Sequence, residues 1–213
     1  MPLSNRDKAI IRDLNKFRVM DRDSIAELHF GGLKNPITAA NSVLLRLLRD
    51  GQIQRSTSFQ PFVYFGADSQ IKKQSQKIGH FLAILNVYKE MQKLGRLETF
   101  LVEPKYGSKG NAEPDIFAMY RNTPFFIEVQ KTLYSEKQMA DKLARYVDFY
   151  NGGIMAKPFP HVLILSDQRY AIDGQYPFKI FQAETFTQFN QSLKAEPQPV
   201  KKVESGGIKV KIG

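Results

Sequence analysis

The chain has 213 residues, of which 42% are hydrophobic and 24% charged, the balance of an ordinary globular protein with one large domain or two small ones. It contains no cysteine, which excludes disulfide bonds and thiolate zinc sites. Its formal charge of +10 favours a polyanionic partner, nucleic acid before an anionic membrane. The N-terminus lacks the apolar core of a signal peptide and no apolar run is long enough to span a bilayer, so we expect a cytoplasmic protein without a membrane partner.

Residues 1–70 predict three helices followed by a β-hairpin, the order of a winged-helix DNA-binding domain. The first helix starts near Ser4, and Asp21 caps the second, in DRDSIAELHF. The third helix, PITAANSVLLRLLRD, opens at Pro36, a residue favoured at the first helical position, and Gly51 ends it. Two β-rich runs in QIQRSTSFQPFVYFGA surround a polar tip and predict the hairpin.

The third helix has the pattern of a DNA-recognition helix. An apolar stripe that begins at Ile37 and ends at Leu47 is expected to pack on the first two helices. The opposite face is polar and fits the major groove, where side chains reach base edges and arginines contact phosphates. The alternatives are a solvated polar face on a small helical domain, or a winged helix used for protein contacts. The expected DNA-binding residues are Thr38, Asn41, Ser42, Arg46 and Arg49 on this helix and Arg55 on the first wing strand.

Residues 71–193 predict a second, α/β domain. A helix at 71–95, with a basic start and an apolar middle, precedes three strand candidates, RLETFLVEP, PDIFAMY and TPFFIEVQ. The remaining elements are a helix in SEKQMADKLARYVDFYN, a central strand in HVLILSD, an edge strand in YPFKIFQAE and a short helix in TFTQFNQSL. Residues 194–213 are rich in proline, glycine and lysine, and we expect them to form a flexible basic tail.

Two carboxylates lie in the apolar strands of the second domain. Asp115 begins PDIFAMY, and Glu128 shares one strand face with Gln130 in FFIEVQ. A buried carboxylate is costly unless it is paired or binds a metal. Adjacent strands would bring Asp115 and Glu128 together as oxygen ligands for Mg²⁺, which can activate water against a phosphodiester. Lys131 would face the other way unless a bulge or the end of the strand redirects it.

The same carboxylates also have a purely structural interpretation. Asp115 could accept hydrogen bonds from backbone N–H groups, and Glu128 could pair with Lys142 or Arg145 of the next helix.

The helix at 71–95 adds two polar residues and a possible interface. His80 is expected to be a core or interface histidine rather than a catalytic base, and Glu90 is either a further metal ligand or a solvated charge. The helix is apolar almost all round, so it could supply the two-fold interface of a homodimer, a state that suits winged helices on paired half-sites.

The order helix, three strands, helix, strand around Asp115 and Glu128 resembles the PD-(D/E)xK nuclease superfamily, whose third motif residue is usually lysine and is Gln130 here. The segment EPDIFAMYRNTPFFIEVQKTLYSEKQMADKLARYVDFY resembles the core of the plasmid replication-relaxation family. Residues 5–170 follow that family's order of motifs: ANSVLLRLLRDG, GHFLAILNVYKEM, Pro114-Asp115, Glu128-Val129-Gln130, Thr132 and Lys142-Leu143-Ala144-Arg145-Tyr146.

This resemblance implies an α/β fold (α+β overall), with an N-terminal winged helix followed by a restriction-endonuclease-like α/β core. It implies a duplex-DNA-binding protein of a plasmid, phage or integrated element, acting in replication, DNA relaxation or its regulation, with no cofactor needed for binding. One alternative is a Mg²⁺-dependent endonuclease, and another is a dimerising interaction module with a degenerate core. Because the amide of Gln130 is uncharged, we expect weak cleavage or none. The endonuclease alternative makes Asp115, Glu128, Gln130 and Lys131 catalytic, with Asp115 and Glu128 as metal ligands.

Overall fold

Three helices and a three-stranded antiparallel sheet form the N-terminal part of the chain, in a computed structural model that describes residues 2–107, 110–155, 157–172 and 174–193. The sheet has the order β1-β3-β2, so the strand before the second helix pairs with the hairpin, as in a winged helix. The tail predicted at 194–213 lies outside the described residues. The elements are α1 (Asn5–Phe17), β1 (Met20–Asp21), α2 (Arg22–Phe30), α3 (Pro36–Arg49), β2 (Ile53–Ser56) and β3 (Val63–Gly66).

Local sequence signals set the ends of these helices. Ser4 and Asp7 form a capping box, in which the Ser4 hydroxyl accepts from the Asp7 N–H at 3.2 Å and the Asp7 carboxylate accepts from the Ser4 N–H at 2.8 Å. Asp21 accepts from the N–H of Ser24 at 2.7 Å and begins α2. After α3, Gly51 has a φ of +66°, a left-handed conformation that glycine adopts without strain. The three predicted helices are therefore confirmed.

The rest of the described chain forms a five-stranded mixed sheet with helices on both faces. Its order is β4-β5-β6-β7-β8; the first three strands are antiparallel and the last two join in parallel, with α5 crossing between β6 and β7. The fold class is thus confirmed as mixed α/β, a winged-helix arrangement followed by a five-stranded α/β core. The elements are α4 (Lys77–Leu94), β4 (Leu97–Val102), β5 (Ile116–Tyr120), β6 (Thr123–Val129), α5 (Glu136–Asn151), β7 (His161–Leu165), β8 (Ile180–Ala183) and α6 (Phe186–Ser192).

The helix predicted at 71–95 begins later than expected, because serines hold the preceding segment in turns. The N–H of Ser75 donates to the carbonyl of Lys72 at 2.8 Å, and the Ser75 hydroxyl accepts from the first N–H of α4 at 3.3 Å. The Ser56 hydroxyl, at the end of β2, donates to the carbonyl of Lys73 at 2.8 Å. The lysines predicted to start a helix therefore lie in a connecting segment that is tied to the wing.

The apolar stripe predicted on α3 is right except at its start. Ala40, Leu44 and Leu47 are fully buried, whereas Ile37 is 38% exposed. The loop at 31–35 before the helix is exposed throughout, so it gives the first turn of α3 no cover.

The helix α4 is shared by both parts of the chain. Its apolar residues belong to one hydrophobic cluster that also contains the winged-helix core and one face of the large sheet. The ring of Phe17 in α1 lies 4.8 Å from that of Tyr88 in α4 and 6.1 Å from that of Phe100 in β4. The apolar surface proposed for a homodimer is thereby covered within the chain, and the homodimer itself stays a prediction, as does a domain boundary at residue 70.

Within the described ranges, no helix combines the length and the apolar character needed to cross a bilayer.

Replacing Phe17 with Ala should destabilise both parts of the chain together, by roughly 3–5 kcal/mol, because the ring fills the cluster that they share. Native-state hydrogen exchange should rise in α3 and in β5 alike. Leu133→Ala, at a side chain that is 74% exposed, should change stability by less than about 0.5 kcal/mol. Faster exchange confined to residues 1–70 would contradict a shared core.

Candidate functional site

Asp115 and Glu128 are brought together by the pairing of β5 with β6. Ile116 lies opposite Ile127, so the two carboxylates stand at the same end of the strand pair. Side chains alternate along both strands, so Phe117 lies on the same face as Asp115, and Phe126 on the same face as Glu128. Both rings belong to the hydrophobic cluster beneath α5. Both carboxylates therefore occupy the face that α5 covers.

Glu128 is neutralised by two residues of α5. Its side chain is 1% exposed; the Tyr146 hydroxyl donates to Oε1 at 2.6 Å, and Lys142 Nζ lies 2.5 Å from Oε2. The Lys142 ammonium is close to Oε2 but poorly aligned for a hydrogen bond, so the two groups interact as an ion pair. Burial raises the pKa of Glu128 to about 7, although Lys142 opposes the rise. Burial, together with the neighbouring glutamate, also raises the pKa of the Tyr146 hydroxyl.

Asp115 has a histidine partner of its own. Its Oδ2 accepts the N–H of Val129 at 2.8 Å, and its Oδ1 lies 3.1 Å from Nε2 of His80 on α4. Burial pushes the pKa of Asp115 upward, but the hydrogen bond and charge of His80 outweigh it and leave the pKa below its ordinary value. The hydrogen bond from Asp115 raises the pKa of His80 against the effect of its partial burial. Each partner of the pair thus favours the charged form of the other.

This arrangement does not fit Mg²⁺. All four oxygens of Asp115 and Glu128 already face a donor or a cation, and the ammonium of Lys142 stands against the oxygen that a metal would need. In the part of the chain that the structure describes, no three histidine, aspartate or glutamate side chains converge as a cation site would require. The site satisfies its carboxylates with the chain's own cations.

Gln130 and Lys131 follow the end of β6, and both border two pockets. The one beside the carboxylates has a volume of about 580 Å³ and is also lined by His80, Asp115 and Lys142. The Gln130 backbone N–H donates to the carbonyl of Leu165 at 2.8 Å, and its side chain is only 8% exposed. Lys131 is exposed beside it, because the chain has left the strand and no longer alternates. The end of the strand therefore brings both residues to the site, as one sequence interpretation allowed.

Glu90 has neither of the roles considered for it. Its Oε2 accepts from the N–H of Thr187 at 2.7 Å and from the Thr187 hydroxyl at 2.9 Å, so it caps the start of α6. The residue joins α4 to α6 across the sheet's edge and lies outside the carboxylate pair.

The outer face of α3 presents most of the residues predicted to bind DNA. Thr38, Ser42 and Arg49 are exposed and Asn41 is partly exposed; the Ser42 hydroxyl donates to the Thr38 carbonyl at 3.1 Å. Arg55, on the wing, lies over the ring of Phe62 with 4.9 Å between the guanidinium carbon and the ring centroid. The helix and the wing thus keep a mixed polar and basic surface open to solvent.

Arg46 is the exception among these residues. Its Nη2 lies 2.6 Å from Oδ1 of Asp7, whose side chain is 2% exposed at the start of α1. Burial pushes the pKa of Asp7 upward, but the hydrogen bonds from Arg46 and Ser4 bring it below its ordinary value. Arg46 is committed to an ion pair that holds α3 on α1, and the phosphate contact expected of it stays a prediction.

Several residues of these sites escaped the sequence interpretation. Tyr146 was not assigned as a partner of Glu128, although it follows Lys142 by four residues and shares its face of α5. Leu45, which is 59% exposed on the outer face of α3, was not expected there. The sequence does contain a signal for this exposure, because Leu45 lies outside the apolar stripe of α3.

No protein-family profile and no curated protein matches the chain. Among solved structures, the chain is similar to the small subunit of the heterodimeric restriction endonuclease R.BspD6I. The sequence identity is 20% and the TM-score 0.35, and the alignment covers 53% of this chain and 68% of that subunit. The resemblance to the replication-relaxation family stays a prediction.

Arg46→Ala should lower the free energy of unfolding by roughly 2–4 kcal/mol, because Asp7 would keep a buried charge without its partner. Arg49→Ala, at a side chain that is 74% exposed, is the matched control and should cost less than about 0.5 kcal/mol. Urea denaturation measures both. Equal losses in the two variants would show that the ion pair has no structural role.

The pH dependence of stability should carry the signature of Glu128. Its pKa is about 7 in the folded chain against an ordinary 4.5, so its contribution is fully present below pH 4.5 and is lost as the pH rises through 7. At about 1.4 kcal/mol per pKa unit, the loss between these two pKa values is on the order of 3–4 kcal/mol. His80, with its raised pKa, acts in the same direction, whereas the lowered pKa of Asp115 acts only below its ordinary 3.8.

Glu128→Gln, which cannot ionise, should flatten this decline when denaturation is followed between pH 4.5 and 8. Glu113→Gln, at a side chain that is 57% exposed, is the control and should leave the profile unchanged. An identical decline in wild type and in Glu128→Gln would assign the pH dependence to other groups.

Proposed function

We propose that the chain binds duplex DNA through α3 and the wing, and that its α/β core has the nuclease order of elements without nuclease activity. The observation that carries the first half is the open face of α3 in a winged-helix topology. The observation that carries the second half is the internal neutralisation of Asp115 and Glu128.

The surroundings of α3 support DNA as the partner. The helix offers hydroxyl and amide groups at Thr38, Asn41 and Ser42, which suit base edges in the major groove. Lys72 and Lys73 are exposed in the segment tied to the end of β2, so the wing has cationic neighbours for the phosphate backbone. The excess of 31 basic over 21 acidic residues acts in the same direction at longer range.

Apolar contacts add a second way for α3 to read DNA. Leu45 is 59% and Ile37 38% exposed on the helix surface, and an aliphatic side chain can pack on the methyl group of thymine. The same exposure would suit a protein partner, so it also favours the alternative of an interaction module. DNA remains our preferred partner because basic and polar groups surround these two side chains.

Within this function, we propose a role in replication, DNA relaxation or its regulation on a plasmid, phage or integrated element. The support is the order of motifs shared with the replication-relaxation family, and a homodimer on paired half-sites would suit it. The second candidate is a Mg²⁺-dependent endonuclease. It is favoured by the placement of Lys131 beside Asp115 and Gln130, and it would require Lys142 to leave Glu128.

Duplex binding should be strong at low salt and should weaken steeply as salt rises, as gel-shift titrations would show. On a site selected from random sequence, Asn41→Ala and Ser42→Ala should each cost roughly 1–3 kcal/mol and relax sequence preference, if the side chains read bases. Arg49→Ala should weaken all sequences alike. Arg145→Ala, which removes an exposed charge from α5, is the control. Absence of duplex binding at low salt would remove the main proposal.

Supercoiled and linear DNA should remain uncut in Mg²⁺ or Mn²⁺, and neither ion should raise the melting temperature, because the carboxylates already have partners within the chain. Metal-dependent cutting that is lost in both Asp115→Ala and Glu128→Gln would establish the endonuclease instead.

A further inference from the structure

A separate pocket lies at the end of the large sheet opposite the carboxylate pair, where the parallel strands β7 and β8 begin. Its volume of about 690 Å³ is in the usual range of a small-ligand site. Each of the two strands is entered through a proline and a phenylalanine, with a lysine beside them. The lining consists of Lys157-Pro158-Phe159 and His161 at β7, Tyr176-Pro177-Phe178-Lys179 at β8, and Tyr150 near the end of α5.

Four aromatic rings bound this pocket. The ring centroids of Phe159 and Phe178 are 5.2 Å apart with the rings inclined by 31°, and Tyr176 continues the series 5.9 Å from Phe178 at 37°. Tyr150 stands edge-on to Phe159 at 5.3 Å. Both tyrosines are partly exposed, whereas both phenylalanines are only 8% exposed. A planar group that enters from solvent would thus meet the tyrosines in the offset or edge-to-face contacts that aromatic rings prefer.

The rings are held in place before any ligand binds. Phe159 and Phe178 belong to the hydrophobic cluster beneath α5, and Tyr150 and Tyr176 pack against it. Gly174 leaves the space in which the Tyr176 ring lies, because an added Cβ there would come within 2.9 Å of the ring. A pocket whose side chains are already ordered by packing loses little conformational entropy when it binds a ligand.

The charge at this pocket is positive. Lys157 and Lys179 are exposed, and among the described residues neither is within ion-pair distance of a carboxylate and no acidic side chain lines the pocket. Burial lowers the pKa of His161, and the charge of Lys179 adds to that effect, so the positive charge of this lysine is felt at the lining. The complementary ligand is an anion.

A planar ring joined to an anionic group is the chemistry of a nucleotide, and a nucleic acid strand repeats it at every residue. In a duplex the faces of the bases are covered by their neighbours in the stack, so only an unpaired base can enter a pocket. Proteins hold single strands with aromatic side chains that stack on bases and basic side chains that follow the backbone. An acidic peptide would satisfy the lysines, but its acidic side chains make no use of the rings.

We propose that this pocket binds an unpaired nucleotide of single-stranded nucleic acid. The base stacks against Tyr150 and Tyr176, while Lys157 and Lys179 contact the phosphates beside it. The pocket is separate from α3 and from the carboxylate pair, so the inference does not depend on the proposed duplex binding.

The first test compares two strands on the full chain. Fluorescently labelled oligothymidylate is titrated beside an abasic strand of the same length and label, at the same salt concentration. The wild-type chain should bind oligothymidylate roughly tenfold more tightly, the effect of one base stacked on an aromatic side chain. Equal affinities would show that only phosphates are bound and would overturn the proposal.

A peptide of alternating glutamate and tyrosine serves as a competitor from another class of molecule. It offers rings and negative charge without a sugar–phosphate backbone, and it should leave the bound strand in place. Displacement as effective as that by unlabelled oligothymidylate would assign the pocket to a protein partner and overturn the proposal.

Substitutions at the two tyrosines test the stacking directly. Tyr176→Leu should weaken oligothymidylate binding roughly tenfold and leave the abasic strand unaffected, whereas Tyr176→Phe, which keeps the ring, should bind like wild type. Tyr150→Leu and Tyr150→Phe form a second pair, and melting temperatures establish which variants are folded. Folded leucine variants that bind oligothymidylate as tightly as wild type would contradict stacking in this pocket.

The lysines test the phosphate contacts. Lys157→Gln and Lys179→Gln should weaken both strands alike, and each should reduce the salt dependence of binding by roughly the share of one phosphate. The matched control is Lys137→Gln, which removes an exposed charge in the first turn of α5, at the other end of that helix from Tyr150. Equal weakening in Lys137→Gln would assign the effect to net charge and overturn the role of the two lysines.

Failure of this inference is separable from failure of duplex binding. Tyr176→Leu should leave the affinity for duplex unchanged, and Asn41→Ala should leave the affinity for oligothymidylate unchanged, because the two surfaces lie on different parts of the chain. Loss of both kinds of binding in Tyr176→Leu would overturn a separate single-strand site.

Discussion

A carboxylate held at 1% exposure inside a sheet must be neutralised within the fold, and Glu128 determines much of how the α/β core is arranged. Lys142 and Tyr146 reach it from one face of α5, which fixes both the position and the rotation of that helix over the sheet. Asp115 stands opposite and has a separate partner, His80 of α4. Buried ion pairs of this kind select one arrangement more than they add stability.

The winged helix is connected to this core by shared buried side chains as well as by the polypeptide chain. Phe17 packs on Tyr88 and Phe100, and Lys89 of α4 pairs with Glu27 of α2 at 2.6 Å. The helix α4 thus provides His80 near its start and packs against the winged helix along its length. A change in the packing of α4 would affect both the carboxylate pair and the winged helix that carries the polar face of α3.

The sequence predicted the elements well because their signals are local. Alternating strands, the caps at Ser4 and Asp21, and the stop at Gly51 depend only on near neighbours. The contacts that decide the sites are not local. The partner of Arg46 lies 39 residues away, and the start of α4 depends on serines that compete with the helix. Spacing brought Asp115 and Glu128 together, but it could not choose between a metal and the chain's own cations.

Under the proposed DNA-binding function, the hydrogen bond from Ser56 to the carbonyl of Lys73 would give the molecule a direction on DNA. It holds the segment with Lys72 and Lys73 against the wing. From this segment the chain continues into α4 and the large sheet. A duplex seated on α3 would therefore have the second half of the protein on one side of the recognised sequence and not on the other. A single chain on a single half-site would distinguish upstream from downstream, which a symmetric pair of recognition helices alone does not.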